Sequence, residues 1–308
     1  MQGNNARKSP FLLASMLSFA VLFLLGVIGF LPIASRGALS YALIAFLTVF
    51  LFGLPIGFFV YLRGGRAFSA WNRRSVRKTE VLLAIAASVA LIFQNAVLRV
   101  IFFKEAYDYR RYTLYGIEFS NEADSAGLMV LFFISLAVLP VFFEEIFFRG
   151  ILMYEYRHGG FWFSAIFSSL IYAMSALDFS QFPIFFLNGF LLAAVFYLTG
   201  NILCSMLSHF CLVFFALFWE KYLFFLAFES ETRVLFFFFC GAFWILALIF
   251  FCHMAENLLR KRGEKEEAKP NLLPKNKKIL ALYDILTAPF FGADVLCFAV
   301  FAILKIFL

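Results

Sequence analysis

Residues Ala126–Met153 read AGLMVLFFISLAVLPVFFEEIFFRGILM. From Ala126 to Phe143 the stretch is uncharged, close to the roughly 20 residues that cross a bilayer. Glu144, Glu145 and Arg149 follow, and the sequence turns apolar again at Ile151-Leu152-Met153. The spacing predicts one helix running past Arg149, with both carboxylates inside the bilayer. Ionisable groups are costly there, so each is a functional candidate.

The rest of the chain reads the same way. Of its 308 residues 64% are hydrophobic, 15% are charged and 48 are Phe, with a mean hydropathy of +0.91. An ordinary soluble domain is about 45–50% apolar and about 25% charged, so both a soluble enzyme and a disordered chain are excluded. The expected fold is all-α: a polytopic membrane helical bundle of eight or nine transmembrane helices. Spans are expected at Phe11–Pro32, Ala38–Leu62, Val81–Phe103, from Ala126, at Phe161–Leu177, twice within Phe179–Trp219, and at Val234–Cys252. Thr199-Gly200-Asn201 is the turn that divides the long run. Ile279–Leu308 is a ninth candidate, interrupted by Asp284, Pro289 and Asp294. Cys204, Cys211, Cys240, Cys252 and Cys297 form no CxxC pair and read as small buried hydrophobes.

The net charge of +7 comes from short loops rather than a nucleic-acid stripe, so no nucleic acid is expected as a partner. Arg63, Arg66, Arg73, Arg74, Arg77 and Lys78 crowd one loop, and Arg260 to Lys278 is a second basic stretch. Counting spans puts both, with Arg7-Lys8, on one side, and the excess of Lys and Arg makes that side cytoplasmic. The expectation is a multi-pass protein of the cell membrane with a cytoplasmic N-terminus. Three regions are expected: residues 1–125 with helices one to three, a core at 126–220, and C-terminal helices at 221–308.

Glu145 and Arg149 are four residues apart on one helical face and can neutralise each other. Glu144 is turned away from that face by about 100°. A carboxylate in such a place is suited to draw a proton from water. The bland alternative is a structural charge cluster at a helix end. His209 stands alone between Asp178 and Glu220 as a residue able to carry charge, and four residues after Ser205. It reads either as a packed core histidine or as a catalytic partner. His253 with Glu256 reads as a solvated helix end, and His158 beside Gly159-Gly160 as a turn residue.

The pattern Glu144-Glu145-x-x-x-Arg149-Gly150, followed by Leu198-Thr199-Gly200-Asn201 through Ser208-His209, resembles the CPBP intramembrane proteases. These include the CaaX prenyl endopeptidases and the bacterial Abi-type proteins. The resemblance covers roughly residues 126–220. It implies a membrane bundle with a cavity open to the cytosol that hydrolyses a peptide bond of a membrane-associated, prenylated or leader peptide. It also implies Glu144 as the base, Glu145 and Arg149 as its supporting pair, and His209 as the oxyanion or water partner.

Two positions depart from the family pattern. In the expected F-x-x-x-H motif Tyr172 takes the aromatic place and Ala176 that of the histidine, and the Asn expected four residues after His209 is Val213. Asp178 or Ser175 would be the nearest substitutes. Catalytic zinc needs three protein ligands, and Glu144, Glu145 and His209 supply a poor set, so no cofactor is expected, with zinc as the weakly supported alternative. The expected partners are a membrane-associated peptide or protein and the lipid bilayer. The alternative function is an inactive relative that binds a membrane partner. A transporter would show inverted repeats, which the sequence lacks.

Overall fold

The computed structural model describes residues 11–30, 38–64, 75–102, 111–114, 117–120, 125–228, 232–263 and 275–307. The early helices are α1 (Leu12–Gly29), α2 (Ala38–Arg63) and α3 (Lys78–Phe102). The central polypeptide then runs as α4 (Ala126–Phe133), α5 (Leu139–Glu145) and α6 (Met153–Tyr156), joined by π-helical turns at Ile134–Val138 and Ile146–Leu152. Next come α7 (Phe161–Met174), α8 (Phe182–Thr199), α9 (Ile202–Phe218) and α10 (Glu220–Phe228). The last helices are α11 (Arg233–Gly263), α12 (Lys275–Leu286) and α13 (Pro289–Phe307).

The fold is thus the expected polytopic helical bundle. Among the described residues seven helices are long and apolar enough to cross a membrane, counting Ala126–Gly159 as one, and α7 and α9 are shorter apolar helices. With water excluded, each backbone N–H and C=O must find its partner within the segment, which selects helices. Leu246, Ile249, Phe238 and Phe239 on α11 and Phe46, Phe50 and Leu54 on α2 remain exposed, as lipid-facing residues should.

Particular residues set the breaks. Gly200, with φ of 65°, ends α8, and the Asn201 side chain accepts the Leu203 N–H at 2.9 Å to start α9. This is the turn expected at Thr199-Gly200-Asn201. Pro140 lacks an N–H, and its ring crowds the carbonyl four residues back. The π-helical turn at Ile134–Val138, just before it, relieves that conflict within an unbroken span. The ninth candidate span is corrected: the chain breaks at Thr287-Ala288, and Pro289 opens α13 as a separate span.

A small antiparallel hairpin pairs β1 (Arg111–Leu114) with β2 (Ile117–Ser120), Leu114 opposite Ile117, in what the sequence suggests is only a loop. The five cysteines are free. Cys204, Cys240 and Cys297 are buried as expected, Cys211 is partly buried, and Cys252 is exposed on α11. The expected N-terminal tail and most of the two basic loops lie outside the described residues.

The two largest apolar clusters hold the bundle. One joins α1, α2 and α13 to the π-helical segment through Leu25, Phe52, Phe147, Phe148 and Phe298. The other packs α3 against α8, α9 and α11 through Leu83, Leu91, Leu192 and Phe251. A buried polar contact crosses the first: Ser18 Oγ donates to Asp294 Oδ2 at 2.6 Å. The functional side chains lie between the two clusters.

Candidate active site

Glu145 closes α5, and the π-helical turn Ile146–Leu152 begins at the next residue. Such bulges concentrate at functional sites because they re-aim side chains without ending the helix. Arg149 Nη1 lies 3.1 Å from Glu145 Oε1, so the expected pair forms, with the two side chains 1% and 0% exposed. Arg149 is held further. Its Nη2 donates to the Gly189 carbonyl at 3.3 Å, and its guanidinium carbon lies 4.6 Å from the centre of the Tyr172 ring.

His209 comes from mid-α9 and meets the same carboxylate. Its Nδ1 is 2.8 Å from Glu145 Oε1. A carboxylate only accepts, so Nδ1 carries a proton, and in the neutral ring Nε2 keeps a lone pair. Nε2 then faces two groups, the Tyr172 hydroxyl at 3.4 Å and Glu144 Oε2 at 4.0 Å. The structure therefore gathers Glu144, Glu145, Arg149 and His209 into one site, with Glu145 bridging the cation and the imidazole. Glu144 is the member that keeps some accessibility, at 12%.

These groups lie at the inner end of a cavity of about 190 Å³, whose lining includes Glu144, Tyr172 and His209. Its other polar walls come from α3, α8 and the start of α10: Asn95, Arg99, Asn188 and Glu220. Asn188 Oδ1 accepts from Gln94 Nε2 at 2.9 Å and from Asn95 Nδ2 at 2.8 Å, while Asn188 Nδ2 donates to Asn95 Oδ1 at 3.1 Å. Arg99 Nη1 bonds Glu220 Oε2 at 2.9 Å. The site thus draws on α3 as well as on residues 126–220. Asn188 escapes a reading that searches apolar runs for formal charge; its signal is an amide within a span.

Neither substitute for the absent motif-two histidine enters the cavity. Leu177, at φ of 48°, belongs to the turn that follows α7, so position 176 lies beyond the helix. Ser175 Oγ donates to the Tyr172 carbonyl at 2.7 Å. Asp178 accepts the Ser180 N–H at 2.8 Å at the start of α8 and pairs with Lys305 at 3.3 Å. Val213 does line the cavity, where it supplies no donor. His253 bonds Asn257 on an exposed face, and His158 lies in the turn before α7, both away from this site.

Three-ligand zinc binding fits these residues poorly. Glu145 Oε1 already serves Arg149 and His209, and His209 Nδ1 is turned to Glu145. Among the described residues no group of three or more His, Cys, Asp and Glu is arranged to hold a metal ion.

Residues 126–215 match the family model described as type II CAAX prenyl endopeptidase Rce1-like. The match falls on the stretch that carries the EExxxR pattern, about a third of the chain. No curated protein and no solved structure matches the chain. The chain is an integral, multi-pass membrane protein whose residues 126–215 are similar to that family.

Proposed function

We propose that the protein is an intramembrane endopeptidase in which Glu144 activates water. The observation that carries this reading is the placement of His209 Nε2, facing Glu144 across 4.0 Å at the inner end of the cavity. Across such a gap one water would donate a hydrogen bond to each, to Glu144 Oε2 and to His209 Nε2, leaving its own lone pair for a peptide carbonyl.

Attack forms the C–O bond as Glu144 takes the water proton. The tetrahedral oxyanion then collapses, the C–N bond breaks, and protonated Glu144 returns the proton to the leaving amine. The Tyr172 hydroxyl, beside His209, is the donor available to the oxyanion in place of the family asparagine. Glu145 and Arg149 position His209 and fix its tautomer. No step is routed through a metal.

A second reading, an inactive module that binds a membrane peptide, is favoured by Ala176 and Val213. Losing an acid–base partner costs about 10²–10⁴ in rate, and losing an oxyanion donor about 10²–10³. A cleavage assay in lipid vesicles over a pool of prenylated and leader-type peptides, read by mass spectrometry, separates the two. Cleavage by the wild type that Glu144→Gln abolishes, with or without chelator, supports the protease. Binding of a pool member without cleavage supports the module.

A further inference from the structure

Asp294 is a buried carboxylate that the candidate active site does not use. It lies on the span α13, wholly buried among the apolar residues that seat α1 on α13. A carboxylate in such a place is costly unless a cation or polar partners meet it. Ser18 Oγ gives one bond, to Oδ2 at 2.6 Å. Among the described residues no Lys, Arg or His pairs with it, and its Oδ1 is buried without a hydrogen bond.

A second unmet group stands nearby. The Tyr156 hydroxyl, at the end of α6, is fully buried and also makes no hydrogen bond. It has the Ser15 side chain as a neighbour and feels the charge of Asp294. Ser15 and Ser18 are three residues apart on one face of α1, so the groups that face them come together there. The helices α1 and α13 run parallel, Ser18 against Asp294 and Gly26 against Phe301. Ser15 and Asp294 lie about 4.5 and 7.5 Å from the starts of their helices, and Tyr156 is close to the end of the span Ala126–Gly159. Next to Tyr156, Glu155 pairs with Arg63, whose side chain is 41% exposed, so water reaches this end of the bundle.

Counting hydrogens limits what fits. Ser15 Oγ donates to the Phe11 carbonyl at 3.2 Å, which leaves its lone pairs for the Tyr156 O–H. Ser18 has one proton and gives it to the closer, charged acceptor, Asp294, rather than to the Ser15 carbonyl at 3.0 Å. Left over are Asp294 Oδ1 and lone pairs on Tyr156 Oη and Ser18 Oγ, all oxygen acceptors. A water would bond to Oδ1 and leave the negative charge in place. A proton on Oδ1 would cancel the charge and add a donor that has no partner. A small cation meets both the charge and the lone pairs. One carboxylate balances one positive charge, and divalent ions take larger sets of carboxylate and carbonyl oxygens. Among the described residues no group of three or more His, Cys, Asp and Glu is arranged to hold a metal ion. We infer that Asp294 Oδ1, Tyr156 Oη, Ser18 Oγ and the Ser15 carbonyl form a site for a small monovalent cation of the sodium class, which fastens α1, α6 and α13 together.

Thermal unfolding of the full chain in detergent tests this, with sodium chloride compared with N-methylglucamine chloride at equal ionic strength. An ion held only by the folded state raises the melting temperature in a saturable way. The expected result is a rise of about 3 °C or more with sodium, absent with N-methylglucamine and absent in Asp294→Asn. Should Asp294→Asn fail to fold, Tyr156→Phe keeps the ring and removes one ligand oxygen. It should raise the half-maximal sodium concentration about tenfold. Melting that ignores sodium, or that rises equally in both salts, overturns the inference and leaves Asp294 to a proton or a water. A sodium response that survives unchanged in either variant overturns it as well. The readout is independent of cleavage, so failure of this proposal leaves the protease reading standing, and the reverse.

Discussion

His209 Nδ1 and Arg149 Nη1 converge on a single oxygen, Glu145 Oε1, at 2.8 and 3.1 Å. One buried carboxylate thereby neutralises the cation and orients the imidazole. Glu145→Ala would strand a buried guanidinium and free His209 to rotate. Breaking a buried ion pair from one side costs about 3–5 kcal/mol. Glu144→Ala, at a partly accessible wall position, should change stability by less than about 1 kcal/mol. Melting temperatures in detergent check this division; an equal drop in both variants would remove it.

Tyr172 has two separable roles. Its ring covers Arg149, and its hydroxyl stands beside His209 Nε2. Tyr172→Phe keeps the ring and deletes the donor. If the hydroxyl serves the oxyanion, kcat should fall about 10²-fold while the melting temperature barely moves. Unchanged turnover would leave Tyr172 a packing residue.

Asn188 satisfies two other amides inside the bundle. Asn188→Leu leaves Gln94 and Asn95 with unmet donors and acceptors, each costing about 1–3 kcal/mol. Thermal unfolding should show a loss of that order, and Asn188→Gln, which keeps both amide functions, should lose less. Equal losses would mean that the amide network contributes little.

Gly189 lets α8 lie close to α7. A methyl group there would sit 3.0 Å from Tyr172 Cδ1 and 3.1 Å from Ser169 Cα, and the second contact is backbone that cannot swing aside. Gly189→Ala should cost about 1–3 kcal/mol by overpacking. It should also weaken catalysis, because the same residue's carbonyl holds Arg149. Wild-type melting and turnover in this variant would show that the helices separate freely.

The sequence alone carried much of this arrangement. Apolar runs located the spans, and Gly200 and Asn201 the turn between α8 and α9, because membrane helices must satisfy their backbone locally. The four charged candidates also met as a group, since isolated charge in a bilayer has few other uses. Two things were not legible. The π-helical turns depend on how Pro140 and the Glu145 region pack rather than on residue type. Glu144 facing His209 is a contact across 65 residues of chain.

Ser18 and Asp294 bond across a separation of 276 residues, and near them Gly26 admits the Phe301 ring where a methyl group would collide. The span α1 thus has its seat on α13, a helix the ribosome makes long afterwards. During synthesis α1 must wait in the bilayer with its Ser18 side chain unclaimed by Asp294, while every intervening span is inserted. Closure of this α1–α13 seam would be a late event in assembly. A nascent chain stopped before α13 would hold α1 beside an open seam, with the Ser18–Asp294 bond unmade, which is how an unfinished molecule would differ from a finished one.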